Sequence, residues 1–202
     1  MKARKGAVLL AATLLVAGAQ ADAFIVEWGS PIGGGGILLN WTEQDMCFET
    51  PNGIAVQDSG ASAGSPDNGS TWIRTMGGPM QAPLTITNLS GAPFALHFVD
   101  LAEYSTAFAA PRAIPFIGYK SDGSIVTTTF ITDGIIDGSG PLADFETFMF
   151  SADFTDLNRV VVDTYLYSMD NLGVSVVPES SSIAMIGLVS GIGLFVRRKF
   201  MQ

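Results

Sequence analysis

Pairs of residues that favour tight turns divide the middle of this chain into short segments. Asn-Gly, Asp-Gly or Gly-Gly-Pro sequences occur at positions 52–53, 68–69, 77–79, 122–123, 133–134 and 137–138. Glycine, asparagine and aspartate tolerate the positive φ angles that tight β-turns require. Between the two ends of the chain, no window of useful length repeats its apolar residues with the 3.6-residue period of a helix. The sequence therefore predicts a body of short strands joined by turns.

The segments between these turns have the composition and alternation that are typical of β-strands. Residues 83–89 and 145–150 alternate apolar with polar side chains, and residues 159–167 are rich in Val, Tyr and Thr. Residues 114–119 and 125–131 flank a Ser-Asp-Gly-Ser turn and are predicted to form a hairpin. Strands spaced about ten residues apart indicate an all-β fold, and its size fits a single antiparallel β-sandwich over residues 24–176. The Ser/Gly/Ala/Asp-rich residues 59–70 are predicted to form a long surface loop.

The N-terminus has the three parts of a secretory signal peptide. Lys2, Arg4 and Lys5 precede the apolar residues 7–17, and alanines follow at 19, 21 and 23. A buried N-terminal helix would explain neither the clustered charges nor the small residues. We predict a signal peptide over residues 1–23, cleaved after Ala21 or after Ala23.

The C-terminus carries an uncharged run, residues 183–196, that stops at Arg197, Arg198 and Lys199. As a helix the run is about 21 Å long, which is short of the hydrocarbon core of about 30 Å unless flanking residues extend it. A buried core helix is the alternative, although such a helix rarely runs directly into three basic residues. Because basic residues stay on the cytoplasmic side of a membrane, we expect both ends to face inward and the body to be exported.

Val177-Pro178-Glu179, followed by the hydrophobic run and the basic tail, resembles the PEP-CTERM sorting signal of bacterial exported proteins. In that family a Pro-Glu-Pro motif, a transmembrane stretch and a basic end are read by an exosortase, a membrane-embedded cysteine protease. Ser180 stands where the family usually has its second proline. The resemblance implies anchoring in the inner membrane, processing near residues 177–180, and a role at the cell surface or in an exopolysaccharide matrix. In physical terms this is comparable to a GPI signal, whose hydrophobic tail is removed.

The body between the two ends is strongly acidic. Residues 24–179 contain four basic and eighteen acidic side chains, a formal charge of −14. A nucleic-acid-binding protein needs the opposite sign to displace counterions from phosphates, so this class is excluded. The single cysteine, Cys47, cannot form an internal disulfide, and its apolar neighbours favour a buried thiol.

A second resemblance covers much of the body. Leu101-Ala102-Glu103-Tyr104, the turn at residues 119–124 and the segment at residues 167–172 are similar to jelly-roll domains common in PEP-CTERM proteins, which are similar to calcium-stabilised carbohydrate-binding modules. The resemblance implies a structural calcium held by Glu49 and Asp170. Calcium takes six to eight oxygen ligands, so these two acids meet that need only if their strands are neighbours. The alternative is a solvated acid at Glu49 and an Asx turn at Asp170. Residues 133–138 lack the spacing of a calcium loop and are predicted to be turns.

The sequence contains no recognisable catalytic motif. His97 is the only histidine and no Gly-x-Ser-x-Gly segment is present, so we expect His97 to be a structural or surface residue. A Cys47–His97 dyad has suitable chemistry, but nothing nearby in the sequence supports it. Trp41 and Trp72 are candidates for stacking on sugar rings, with core or edge packing as the commoner role of tryptophan.

These observations predict an exported, non-enzymatic surface or matrix protein sorted by an exosortase-type protease. The alternative is a carbohydrate-binding module that recognises a surface or extracellular polysaccharide. A secreted hydrolase that uses His97 or a pair of carboxylates is the third class.

Overall fold

The computed structural model describes residues 23–28, 37–57, 64–66, 69–75, 82–136 and 144–176, which belong to one compact unit, Ala21–Glu179. The predicted signal peptide, the sorting motif at residues 177–180, the hydrophobic run and the basic tail lie outside the described residues, as does most of the predicted loop at residues 59–70. None of the described residues belongs to a helix with the length and hydrophobicity to span a membrane.

The described residues form eleven strands and one short 3₁₀ turn, Thr106–Phe108. The strands are β1 Ala23–Val26, β2 Ile37–Glu43, β3 Met46–Gln57, β4 Trp72–Thr75, β5 Leu84–Asn88, β6 Phe94–Glu103, β7 Ala113–Lys120, β8 Ile125–Ile131, β9 Glu146–Met149, β10 Leu157–Val162 and β11 Tyr167–Val176. All pairings between them are antiparallel. The prediction of an all-β antiparallel fold is confirmed.

The strands hydrogen bond in the order β8-β7-β10-β5-β3-β4-β11-β6-β9, with β2 added to β3 and β1 added to β11. The pair Leu157↔Phe94 links β10 to β6 and closes the ladder into a barrel-like arrangement. Its two broad sides are a first sheet, β8-β7-β10-β5-β3-β2, and a second sheet, β4-β11-β6-β9 with β1. Aromatic side chains fill the space between them, as where Phe130 of β8 stacks on Phe148 of β9 with ring centroids 4.9 Å apart.

β3 joins the two sheets and corrects one prediction. Asn52-Gly53 was expected to form a tight turn, but the strand runs through both residues, with Gly53 at φ +89°. Before this point β3 pairs with β5, and after it with β4. The positive φ angle therefore bends one strand from the first sheet into the second and does not reverse the chain.

The predicted hairpin is confirmed. β7 and β8 pair in continuous register from Ala113↔Ile131 to Tyr119↔Ile125. The turn closes at Gly123, which has φ +85° and donates its N–H to the Lys120 carbonyl at 3.1 Å. Asp122 accepts the Ser124 N–H at 2.8 Å, so the Asx side chain stabilises the turn as its type predicts.

The inward side of the first sheet shows why the sequence alternates. Cross-strand pairing aligns one continuous row of inward-facing residues: Trp41, Phe48, Ile86, Val160, Gly118 and Val126. Gly118 carries no side chain because Leu157 and Val126 already fill the space, each 2.8 Å from where its Cβ would lie. Burial of each large apolar side chain in this row contributes about 1.5–3 kcal/mol.

Candidate functional site

The outward side of the first sheet is an open, mostly neutral surface. Strand alternation and register place two parallel rows of side chains on it. One row contains Ile125, Tyr119, Arg159, Thr87, Cys47 and Thr42; the other contains Thr127, Ile117, Val161, Thr85, Glu49 and Asn40. We call these twelve residues the threonine face. Its five inter-strand spacings of about 4.8 Å give it a width of about 24 Å.

One end of the threonine face is concave. Leu39, Asn40, Glu49, Thr50, Pro51 and Thr85 line a depression of about 380 Å³. Asn40 and Glu49 are exposed, and Thr85 is half-buried. The depression therefore offers an amide, a carboxylate and a hydroxyl beside the apolar Leu39 and Pro51.

The opposite end of the threonine face has a guanidinium stacked on an aromatic ring. The Arg159 guanidinium lies 4.0 Å above the centroid of the Tyr119 ring. The two residues are cross-strand partners in β10 and β7. A cation over the face of a tyrosine is attracted by the negative π cloud, so the pair forms a planar platform on the surface of the sheet.

Cys47 lies beside the depression, two residues before Glu49 in β3, and is little exposed. The residue is 8% exposed although its strand position faces outward. Burial raises the pKa of the Cys47 thiol, and the nearby Glu49 carboxylate raises it further. The thiol is therefore protonated at neutral pH, which agrees with the prediction of a buried, unreactive cysteine.

The two tryptophans considered for sugar stacking lie in the core. Trp72 is 1% exposed and Trp41 is 8% exposed. Trp72 contacts Phe145 with ring centroids 5.9 Å apart, and Trp41 belongs to the inward row of the first sheet. Neither ring presents a free face to solvent in this structure, and both have the packing role given as the alternative.

The structure does not bring Glu49 and Asp170 together. β4 lies between β3 and β11 in the hydrogen-bonding order, so their strands are not neighbours. Glu49 pairs with Thr85 and Asn40, whereas Asp170 pairs with Asp100. The two carboxylates therefore do not share one set of calcium ligands.

Asp170 is buried and belongs to a network of hydrogen bonds. It accepts a hydrogen bond from the Ser70 hydroxyl at 2.6 Å and from the Asn171 N–H at 2.8 Å. Asn171, with φ +43°, donates its side-chain amide to Asp100 at 2.8 Å, and the Thr147 hydroxyl donates to the other oxygen of Asp100 at 2.6 Å. These bonds link β9, β6 and β11 to the segment that precedes β4.

His97 is exposed on the second sheet, and its Nε2 atom lies 2.9 Å from Ser175 Oγ. A nucleophile is thus within reach of the ring. However, no second hydrogen bond from a described residue orients the imidazole, which a Ser-His-Asp arrangement requires. Cys47 lies on the outward side of the other sheet, so a Cys47–His97 dyad is not assembled.

Three carboxylates meet at one end of the core. Glu103 at the end of β6, Asp133 after β8 and Glu146 at the start of β9 bring one oxygen each within 4.8 Å of one another. We call them the acidic cluster. Glu103 is fully buried, Glu146 is half-buried and Asp133 is exposed.

Three successive backbone N–H groups orient the acidic cluster. Asp133 N–H donates to Glu146 Oε1 at 2.7 Å, Gly134 N–H to Glu103 Oε1 at 2.6 Å, and Ile135 N–H to Asp133 Oδ1 at 2.8 Å. Gly134 has φ +86° and packs directly against Pro111. Residues 133–136 bend at Gly134 and belong to no strand, which agrees with the predicted turn, and residues 137–138 of that prediction lie outside the described residues. The prediction missed the contacts of this turn with Glu103 and Glu146.

Sequence reasoning missed the acidic cluster because its members are 13 to 43 positions apart. A signal was nevertheless present. Glu103 and Glu146 lie in segments whose alternation assigns their positions to the inward side of a sheet, where acids are rare unless paired.

Comparisons with known proteins give no family assignment. No protein-family model matches the chain, and no curated protein matches it either. Among solved structures, a mutant of the family 29 carbohydrate-binding module CBM29-2 is similar with a TM-score of 0.38 and 12% identity, covering 78% of this chain and 92% of that one. A structure described as a carbohydrate-binding module of family 29 is similar with a TM-score of 0.39 and 11% identity, covering 78% and 90%. Similarity at this level supports no conclusion about a ligand or a site.

Proposed function

We propose that this chain is an exported, non-catalytic, jelly-roll-like domain that binds a polysaccharide through its threonine face. The observation that carries the proposal is the depression lined by Asn40, Glu49 and Thr85, which continues into a surface where threonine hydroxyls lie beside apolar side chains. Sugars are recognised by hydrogen bonds to their hydroxyls and by apolar contact with their C–H faces. The threonine face offers both kinds of group side by side.

The polymer that this surface favours is neutral. The body carries a formal charge of −14, and Glu49 is an exposed acid within the depression. An anionic polysaccharide would be repelled by both. A neutral glycan can donate hydroxyl hydrogen bonds to the Glu49 carboxylate, which are stronger than bonds between neutral groups.

The flat end of the threonine face supports an extended ligand. Ile117 and Val161 lie beside the platform of Tyr119 and Arg159, on the same two strands, and continue the row of side chains that begins in the depression. A surface about 24 Å wide accommodates several consecutive sugar units. We therefore expect affinity to rise with chain length.

The test is binding of the purified full-length chain to a panel of neutral and acidic polysaccharides. Affinity electrophoresis identifies a ligand, and isothermal titration calorimetry then measures the effect of substitutions. We expect Glu49→Gln to weaken binding about 10-fold or more, because it removes a charged hydrogen-bond acceptor and keeps the shape of the side chain. Thr85→Val should weaken it about 5-fold through loss of one neutral hydrogen bond.

The matched control is Met149→Ala. Met149 is 68% exposed on the outward side of the second sheet, so this substitution leaves the threonine face unchanged and should not alter the affinity. Equal losses in Glu49→Gln and Met149→Ala would contradict the proposed location. Failure of every neutral polysaccharide to bind would remove the proposed function itself.

Export and sorting form the second part of the proposal. The basic N-terminus with its apolar stretch supports a signal peptide over residues 1–23, and the motif, hydrophobic run and basic tail support a sorting segment over residues 177–202 that an exosortase-type protease reads. The high density of acids between them suits a surface or matrix location. Cell fractionation combined with mass spectrometry of the mature ends tests this. A protein that keeps both ends intact in the cytosol would contradict it.

A further inference from the structure

Two members of the acidic cluster, Glu103 and Glu146, lie at inward-facing strand positions, which apolar side chains usually occupy. Val99, Leu101 and Glu103 follow one another at alternate positions on the inward side of β6, and the first two are fully buried. Glu146 is the cross-strand partner of Leu101 and therefore faces the same side. Charged side chains buried in this way are costly unless they are paired or bind a cation.

Glu103 lacks a partner for half of its carboxylate. Its side chain is 0% exposed. One oxygen accepts the Gly134 N–H, but the other, Oε2, is buried and has no hydrogen-bond partner among the described residues. A buried acceptor left in this state costs about 1–3 kcal/mol, and more when it is charged. Glu103 Oε2 therefore requires a positively charged or hydrogen-bonding partner that the described residues do not supply.

The other two carboxylates of the acidic cluster raise the electrostatic cost of a charged Glu103. Asp133 and Glu146 lie close enough to Glu103 to repel it, and their own hydrogen bonds come from the same turn, at one oxygen each. The cluster has three acids and three N–H donors, and no Lys or Arg among the described residues forms an ion pair with it.

We propose that Glu103, Asp133 and Glu146 form a binding site for one divalent cation of the calcium type. A cation among the three carboxylates gives Glu103 Oε2 its missing partner and turns repulsion into attraction. The ligand atoms are all oxygens, which calcium prefers over the nitrogen and sulfur that favour zinc. Calcium–oxygen distances of about 2.3–2.6 Å allow one ion to touch oxygens that are up to about 5 Å apart, which matches the separation in the cluster.

The position of the acidic cluster gives an ion access from solvent and places it where three parts of the fold meet. Asp133 is exposed and Glu103 is fully buried, so the site opens to solvent on the side of Asp133. Water from that side would supply the further oxygen ligands that calcium takes. The three ligands come from β6, from β9 and from the segment that follows β8. The cation therefore ties the end of β8 in the first sheet to β6 and β9 in the second, and its role is to stabilise this end of the fold.

The test is a calcium titration of the full-length chain after removal of metal with EDTA. We expect calcium, added up to about 10 mM to cover the range of extracellular calcium modules, to raise the melting temperature by several degrees. Calorimetry should give one ion per chain. Terbium, a luminescent substitute for calcium, should emit on excitation of Tyr167, which pairs with Glu103 across β11 and β6.

Asp133→Asn is the most direct variant, because Asp133 is exposed and the substitution should not prevent folding. It should weaken calcium binding about 10-fold or more and reduce the rise in melting temperature accordingly. Glu103→Gln should abolish the rise, and in EDTA it should be at least as stable as the original chain because it removes a buried charge. Glu49→Gln is the matched control, an exposed acid on the other sheet, and should leave the rise unchanged.

Three results would overturn the site. The first is a chain whose melting temperature and terbium emission do not respond to metal, which would mean that the carboxylates share protons. The second is a calcium response that survives both Asp133→Asn and Glu103→Gln. The third is a response that Glu49→Gln abolishes, which would move the ion to the threonine face.

Discussion

Gly134 is the residue at which the turn, the acidic cluster and the packing of the fold can be tested together. Its backbone has φ +86°, and a Cβ atom added to it would lie 2.5 Å from Pro111 Cδ and 2.8 Å from Pro111 N. Because the closest atoms belong to a proline ring and to backbone, the neighbour cannot yield by rotating a flexible side chain. Gly134→Ala must therefore displace the turn and withdraw the N–H that binds Glu103.

The cost of Gly134→Ala has three parts. A non-glycine residue at a positive φ angle costs about 1–2 kcal/mol, and forcing a methyl group into filled space costs about 1–3 kcal/mol. Loss of a hydrogen bond to a buried carboxylate costs about 1.5–3 kcal/mol. These parts overlap, since a turn that moves relieves the clash, so we expect a total decrease in unfolding free energy of about 3–5 kcal/mol.

Gly123→Ala is the matched control for this prediction. Gly123 has nearly the same backbone angle, φ +85°, but no atom lies within 4 Å of its missing Cβ. Only the conformational cost remains, so we expect a decrease of about 1–2 kcal/mol.

Urea unfolding followed by tryptophan fluorescence measures both variants, because Trp28, Trp41 and Trp72 are all buried and report on loss of the core. Equal losses in Gly134→Ala and Gly123→Ala would refute the packing of Gly134 against Pro111.

Three further predictions concern other parts of the molecule. In EDTA, the raised pKa of Glu146 contributes stability that is present below the unfolded pKa of about 4.3 and is lost as the pH rises through the folded pKa. Urea unfolding across this pH range should therefore show a smaller loss of unfolding free energy in Glu146→Gln than in the original chain. Parallel pH profiles for the two proteins would contradict this prediction. Trp72→Ala should reduce the unfolding free energy by about 3–5 kcal/mol, whereas Leu89→Ala, at an exposed position, should change it little; calorimetry compares the two. Cys47 should react with iodoacetamide more slowly in the folded chain than in urea. Glu49→Gln should speed the reaction of the folded chain, because it removes a charge that raises the pKa of the Cys47 thiol. An unchanged rate in Glu49→Gln would show that burial alone protects the thiol.

The strands of this protein were predictable because their cause is local. In β8, alternate residues from Ile125 to Ile131 face opposite sides of the sheet, and the Asp122-Gly123 turn before it has the residues that a tight reversal needs. Asn52-Gly53 shows the limit of such reasoning. The same pair type is compatible with a reversal or with a bend inside one strand, and the partners available on either side, β5 and β4, determine which of the two forms.

The candidate sites were less predictable than the strands, because they depend on tertiary structure. The sequence alone was sufficient to establish an acidic body between two basic ends, because charge and composition do not depend on how the chain folds. It could not show that Glu49 and Asp170 are separated by β4, or that Glu103, Asp133 and Glu146 converge. Convergence of distant residues depends on strand order, and strand order is decided by how two sheets pack around one core, which no local pattern specifies.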